Sequence, residues 1–390
     1  MIFRSASPLS PHVEIVIDNV PVNYLSLQKI SIELKENMHD MAVLDFVGMD
    51  PTLIHEYINA SLKINIELRE RPPFTFYGYI TYLEPVSVTK DGLVNKSPFQ
   101  SVRAYCFGPS YKMKSKRARS WENVTLAEVV QTFADAYNFS ASIPNSSFVF
   151  PRLVQSNQSD WAFMTEVVQH SGYAVVMEGT HIHVWDAFKT LYHTKSYSLL
   201  MNLRGTGGNT SPQPGQILKF EARVGNTTTD GSRSPDTIHF LDKEGQLLSI
   251  TSDPTQESSG YGTAIALEFP RVMSVNADSH HLADAILFSE MRKKFPITAK
   301  IDVVADPSIK VGGVVRISEY NTEFDGLWYV RAVEHELTQS NLITRLEVAR
   351  DSFGTTPINF QTSSPYTDPP NPVFSNGSWK SSVQQLSIYE

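Results

Sequence analysis

The sequence predicts a mainly β protein interrupted by an α+β insert. Apolar and polar residues alternate with period two from Pro11 to Phe107, and this alternation returns after about residue 297. Between them, helical spacing and a helix-start signature appear. At 390 residues the chain exceeds what one core usually holds, which implies two to three domains.

The first block is clearest at Leu62-Lys63-Ile64-Asn65-Ile66-Glu67-Leu68-Arg69, where aliphatics share one face as in a half-buried strand. Similar runs span Val13 to Val20, Ile30 to Leu34, Ala42 to Val47, Phe74 to Leu83 and Ser101 to Phe107. Pro, Gly, Asn and Asp separate them, the spacing of a small antiparallel barrel or sandwich. After the basic stretch Lys112 to Arg119, Thr125-Leu126-Ala127-Glu128 has capping-box spacing and predicts a helix over about Leu126 to Tyr137. A second helix starts near Asp160, carries Trp161, Met164 and Val168 on one face, and stops before Gly172. Strands follow at Tyr173 to Met177 and His181 to Trp185.

From about 205 to 260 the chain is rich in Gly, Ser, Thr and Pro, with strands at Ile217 to Val224 and Leu247 to Thr251. A helix is predicted over about Asp278 to Lys294, its Arg292-Lys293-Lys294 end suiting the helix dipole. Alternation resumes at Thr298 to Val304, Val314 to Ser318, Trp328 to His335 and Ile343 to Ala349. The expected domains are therefore a first barrel (1–118), an α+β insert (119–190), a loop-rich β region with a helix (191–296), the main part of a second barrel (297–354) and an extended tail (355–390). The loop-rich region lends a strand at about 215–225 to the second barrel.

Composition excludes several functions. A hydrophobic share of 41% is too high for a disordered chain, and a net charge of −8 argues against a dedicated nucleic-acid binder. Cys106 is the single cysteine, so neither an internal disulfide nor a cysteine-based zinc site is expected. Met1 to Ser10 lacks a leader pattern and no run suits a membrane span, so synthesis in a reducing cytoplasm and no stable membrane insertion are expected. The Asn-x-Ser/Thr sequences at Asn123 and Asn138 are then chance matches.

Candidate chemistry is sparse. His181 and His183 lie two apart on a strand, where both could face one metal, but no third ligand is evident. His280 and His281 with Asp278 and Asp284 form a similar cluster on the predicted helix. His335-Glu336-Leu337-Thr338-Gln339 misses the zinc-protease pattern and sits on a strand. Gly205-Thr206-Gly207-Gly208 fits no phosphate loop, and no Gly-x-Ser-x-Gly elbow occurs. Lys112, Lys114, Lys116, Arg117 and Arg119 could touch nucleic acid, or serve as a solvated connector or a contact to an acidic neighbour. We expect no catalytic residues, no metal site and no cofactor.

Three segments carry a family resemblance. The run Asp306 to Val315, followed by Phe324-Asp325-Gly326-Leu327-Trp328-Tyr329-Val330 and Val333-Glu334-His335-Glu336-Leu337, is the most specific. Gln155 to Phe163 and Phe76-Tyr77-Gly78-Tyr79-Ile80 support it. Together, over about 10 to 353, they resemble the baseplate hub proteins of phage tails, including the late control protein D group and the hub part of VgrG in contractile injection systems. Ser159 stands where that pattern usually has an acidic or polar residue. The resemblance implies two tube-type barrels and a structural homotrimer at the virion tail tip. Such a hub would join a six-fold tail tube, or distal tail proteins, to a three-fold central spike. Baseplate wedge proteins lie below, a tape measure protein fills the lumen, and DNA passes without sequence-specific binding. Alternative readings are a tail-associated peptidoglycan hydrolase, and a receptor- or carbohydrate-binding module using Tyr320, Phe324 and Trp328.

Overall fold

The computed structural model describes residues 11–22, 27–47, 56–68, 72–86, 101–144, 149–187, 190–191, 198–202, 216–224, 237–241, 246–251, 263–264, 272–274, 295, 297–304, 306–318, 323–338, 341–350, 352–353, 373–375, 378–380 and 386–389. The chain is mainly β, and thirteen strands join in one curled, mostly antiparallel sheet. Its first unit comprises β1 (His12–Ile17), β2 (Val20–Pro21), β3 (Leu27–Lys35), β4 (Met41–Val47), β5 (Ser61–Glu67), β6 (Phe74–Val86) and β7 (Ser101–Phe107). They pair in the order β2-β1-β5-β6-β7-β4-β3. Period-two patterning sets the inside: Ala42, Leu44 and Phe46 of β4 are buried while Met41, Val43 and Asp45 face outward.

The insert begins after a 3-10 turn at Pro109–Lys114. It comprises β8 (Lys116–Thr125), α1 (Leu126–Tyr137), β9 (Ser140–Pro144), β10 (Val149–Ser159), α2 (Asp160–His170), β11 (Ala174–Glu178) and β12 (His181–Trp185). The capping box forms as predicted: Glu128 N donates to Thr125 Oγ1 at 3.3 Å, and Thr125 N donates to Glu128 Oε2 at 2.8 Å. Helix α1 buries Val129, Val130 and Phe133 against α2, β8 and β9, giving the insert its own core. β8 and β10 form a separate two-stranded ribbon. The basic stretch expected as a connector is therefore the end of a 3-10 turn and the start of a paired strand. Charged residues are compatible with an edge strand that keeps one face in water.

The second unit starts with β13 (Ser198–Asn202) and β14 (Gln216–Val224). Next come β15 (Thr237–Leu241), β16 (Leu247–Thr251), β17 (Thr263–Ala264) and β18 (Val272–Ser274), of which β16, β15 and β18 form a small satellite sheet. β19 (Ile297–Val304), β20 (Val314–Ser318), β21 (Gly326–Thr338) and β22 (Leu342–Arg350) complete the unit. Its strands close a ring of hydrogen bonds in the order β21-β20-β13-β14-β19-β22, with β22 returning to β21. β13 runs parallel to both neighbours, a departure from the all-antiparallel expectation. No sequence signal had marked this five-residue strand. Its ring is filled by Ile301, Val315, Trp328 and Val348 among others.

One strand belongs to both units. β21 pairs with β20 over residues 326–329 and with β3 over 332–338, always on the edge away from β22, with a bulge at Arg331 between the two stretches. β3 thus spends its second edge on β21 rather than on closing the first unit. Leu337 and Leu342 complete the first unit's core.

After β23 (Ser352–Phe353), paired with β17, come β24 (Val373–Ser375), β25 (Ser378–Lys380) and β26 (Leu386–Tyr389). The region expected as an extended tail thus holds a hairpin and a strand parallel to β9, held by backbone pairing that needs no apolar periodicity. The helix predicted over 278–294, with His280, His281, Asp278 and Asp284, lies outside the described residues. So do Gly205 to Gly208, Tyr320 and residues 1–10. No helix among the described residues is long and apolar enough to cross a membrane.

Candidate functional site

The chemistry of the molecule concentrates where the two units and the insert meet. The β3–β4 turn projects Glu36 to Asp40 into this junction, with Asn37 in the left-handed region (φ 63°). Asn37 N donates to Val175 O at 2.7 Å, and Val175 N donates back to Asn37 Oδ1 at 3.1 Å, so the turn joins the insert as an added strand partner would. Glu36, nearly buried, accepts from Arg331 Nε at 2.6 Å and from the Tyr329 hydroxyl at 2.8 Å. Tyr329 in turn accepts from Trp185 Nε1 at 2.8 Å. One carboxylate therefore connects the first unit, the shared strand and the insert. Burial, then the Glu36 charge, pushes the Tyr329 phenol well up, so it stays a neutral donor.

The turn before β20 locks against the same tryptophan. Gly312 has φ 78°, and a Cβ there would stand 2.6 Å from Trp185 Cζ2, so neither the backbone nor the space admits another residue. Lys310 of this turn donates to Glu178 Oε1 at 2.6 Å across to the insert. Burial alone would raise Glu178, yet His183 and Lys310 hold it down at about 2. Its negative charge, after burial itself, raises the buried Asp40 carboxyl.

The structure brings His181 and His183 together, ring centroids 4.2 Å apart, but gives each its own partners. His181 sits between the Ser140 and Ser142 hydroxyls, both at 2.6 Å, and burial, then His183, lowers it to about 3. His183 Nε2 lies 3.6 Å from Glu178 Oε2. The serines are as buried as the histidine, so this pair lacks the access a nucleophile needs. No group of three or more His, Cys, Asp or Glu able to hold a metal occurs among the described residues. His335 is fully buried, 3.1 Å from Thr344 Oγ1, with its ring tilted against Phe74 at 4.9 Å between centroids. Burial likewise pushes the Cys106 thiol up.

The segments singled out in the sequence prove to be corners. Asp160, wholly buried at the first turn of α2, accepts from Gln155 Nε2 at 2.8 Å and the Tyr137 hydroxyl at 2.7 Å. Arg117 and Arg119 lie 3.4 and 3.7 Å from it, so two members of the basic cluster neutralise a carboxylate of their own chain. Trp161 stacks on His39 of the first unit, centroids 5.2 Å apart. Trp328 is fully buried and donates to Phe324 O at 2.9 Å, which removes it as a sugar-binding surface residue. Sequence reasoning missed Glu36 and Asn37, which sit in a turn with nothing local to mark them, and marked Tyr329 only as part of a family segment, without its role at the junction.

A family profile described as Alg8 N-terminal domain matches residues 89–194. No curated protein matches the chain. Among solved structures, a tail protein from Neisseria meningitidis MC58 superposes with TM-score 0.64 at 11% identity, covering 88% of this chain and 97% of that one. The 43 kDa tail protein of prophage MuSo2 from Shewanella oneidensis gives 0.58 at 10% identity, over 88% of this chain and 100% of the other. An E. coli component of the type VI secretion system, described as similar in structure to T4 bacteriophage tail proteins, gives 0.52 at 8% identity, over 90% and 78%. The chain thus shares the fold of these phage tail and type VI secretion proteins.

Proposed function

We propose that the chain is a non-enzymatic hub subunit at the tip of a phage-type injection tail. In this reading three copies form a ring whose two units per chain alternate, presenting six similar surfaces to a tail tube and a three-fold surface to a central spike. The domains are then the first barrel (1–118), the insert (119–190), the loop-rich region (191–296), the second barrel (297–354) and the tail (355–390). Wedge proteins, a tape measure protein and passing DNA are the further partners, and the acidic balance favours transit without capture of DNA.

The observation that carries this reading is the sharing of β21: two curled units built side by side in one continuous sheet make a rigid double block, which a symmetry adaptor requires. The fold held in common with tail proteins over most of both chains supports it. Native mass measurement and cryo-EM of the tail tip test it. Three copies per ring are expected, with the two units of each chain at alternating positions; six copies would refute the hub.

A further inference from the structure

We propose that the outward face of β4, β6 and β7, with the 3-10 turn at Pro109–Lys114, docks a carboxylate-rich surface of a different tail protein. The proposal rests on the hub reading above. Strand register places Met41 beside Phe107, and Val43 and Tyr82 on either side of Tyr105, all pointing away from the core. These side chains are half-buried except Tyr82, which is 58% exposed, an apolar and aromatic centre of the kind that protein interfaces use. Tyr82 and Tyr105 lie 5.6 Å apart, and Phe107 stacks on Tyr111 at 5.3 Å.

Lysines rim this centre. Lys112 Nζ stands 4.4 Å over Tyr79, Lys114 Nζ stands 4.0 Å over Tyr111 and donates to its hydroxyl at 2.8 Å, and Lys63 lies 6.0 Å over Tyr77. None of the three pairs with a carboxylate among the described residues, whereas Arg103 on the same face is held by Asp45 at 2.7 Å. Burial, then Lys114, lowers the Lys112 ammonium, a penalty that an incoming carboxylate would remove.

The same face argues against nucleic acid. Its cations sit only at the rim and its centre is apolar and aromatic, so it lacks the continuous basic track that a phosphate backbone needs. Glu334, Glu336 and Glu347 of the outer sheet make poor partners from a second copy, because each already meets a cation. Glu334 and Glu336 meet Arg345 and Lys29, and Glu347 meets Lys35 and Lys300.

The test compares lysine acetylation in the isolated chain and in purified tails, with carbodiimide cross-linking of the tails. Lys112 and Lys114 are expected to react about tenfold more slowly in tails, and to link to Asp or Glu of another protein. The variant carrying Lys114→Glu and Tyr82→Ala, both at exposed positions, should melt as wild type yet fail to enter tails. Unchanged lysine reactivity in tails that contain the chain overturns the proposal alone. So does a link to a second copy, or ultraviolet linkage of this face to DNA. Absence of the chain from tails removes the hub reading and the proposal together.

Discussion

The two β units share a period-two alternation in sequence and differ in how they are closed. The second closes on itself through six hydrogen-bonded strands, whereas the first is left open between β2 and β3 among the described residues and borrows the end of β21. The borrowed segment supplies core as well as hydrogen bonds, since its Leu337, together with Leu342 of β22, belongs to the first unit's core. In strand pairing, dependence therefore runs one way, although Leu34 of β3 also lies against the second unit's core. The second unit can hold its ring without the first, but the first loses a wall without the second.

Two core truncations break or sharpen this asymmetry. Trp328→Ala removes a fully buried indole from the second unit and should cost about 4 kcal/mol. Because β21 goes with it, hydrogen exchange should rise in both units. Leu62→Ala, also at a fully buried position, should cost about 3 kcal/mol and raise exchange in the first unit alone. Equal spreading from both variants would show that the closure seen in the hydrogen bonds does not set the hierarchy.

That hierarchy was not legible in the sequence, although the elements were. Alternation located β3 to β7 within a few residues, because a strand with one face in a core writes its period locally. The capping box and Gly172 bounded both helices for the same reason: end groups are satisfied by near neighbours. β13 escaped because five residues running parallel between two distant strands carry no turn signal. The junction escaped for a stronger reason. Glu36 and Arg331 are 295 positions apart, and a charged pair becomes special only when folding buries it. The His181 and His183 spacing was visible, but their neighbours Ser140, Ser142 and Glu178 were not.

The borrowed segment also carries a pH dependence. His335 is fully buried on β21, beside Ile32 of β3, and burial lowers it to about 4 from an ordinary 6.5. Between these values the unfolded chain binds a proton that the folded chain excludes. Its contribution is therefore complete above about pH 6.5, falls as pH drops, and is gone below about 4. Denaturation at pH 7 and pH 4.5 should show wild type losing about 2 kcal/mol more than His335→Gln. Equal losses would mean that the ring is wetter than its burial implies. Since His335 stands where the two units meet, the exchange that rises first at low pH should lie in β3 and the end of β21.

The smallest effect tests whether the insert stands apart from this asymmetry. Its core draws only on residues between Met113 and Val184, with no side chain from either unit, so its local stability should be its own. Ser159 caps α2, its hydroxyl accepting from Ala162 N at 3.2 Å. Ser159→Ala leaves that amide to water and should cost about 1 kcal/mol. Asp160 keeps its four polar neighbours in the variant, so the helix start frays without releasing the buried charge. Exchange should rise in the first turn of α2 and the end of β10, while the amides of β5 and β19 keep wild-type protection. The one path by which the loss could travel is Trp161, stacked on His39 at the junction. Faster exchange at Asn37 and Val175 would show that this stack transmits strain into the double block, and that the insert shares its stability with the first unit as that unit shares a strand with the second.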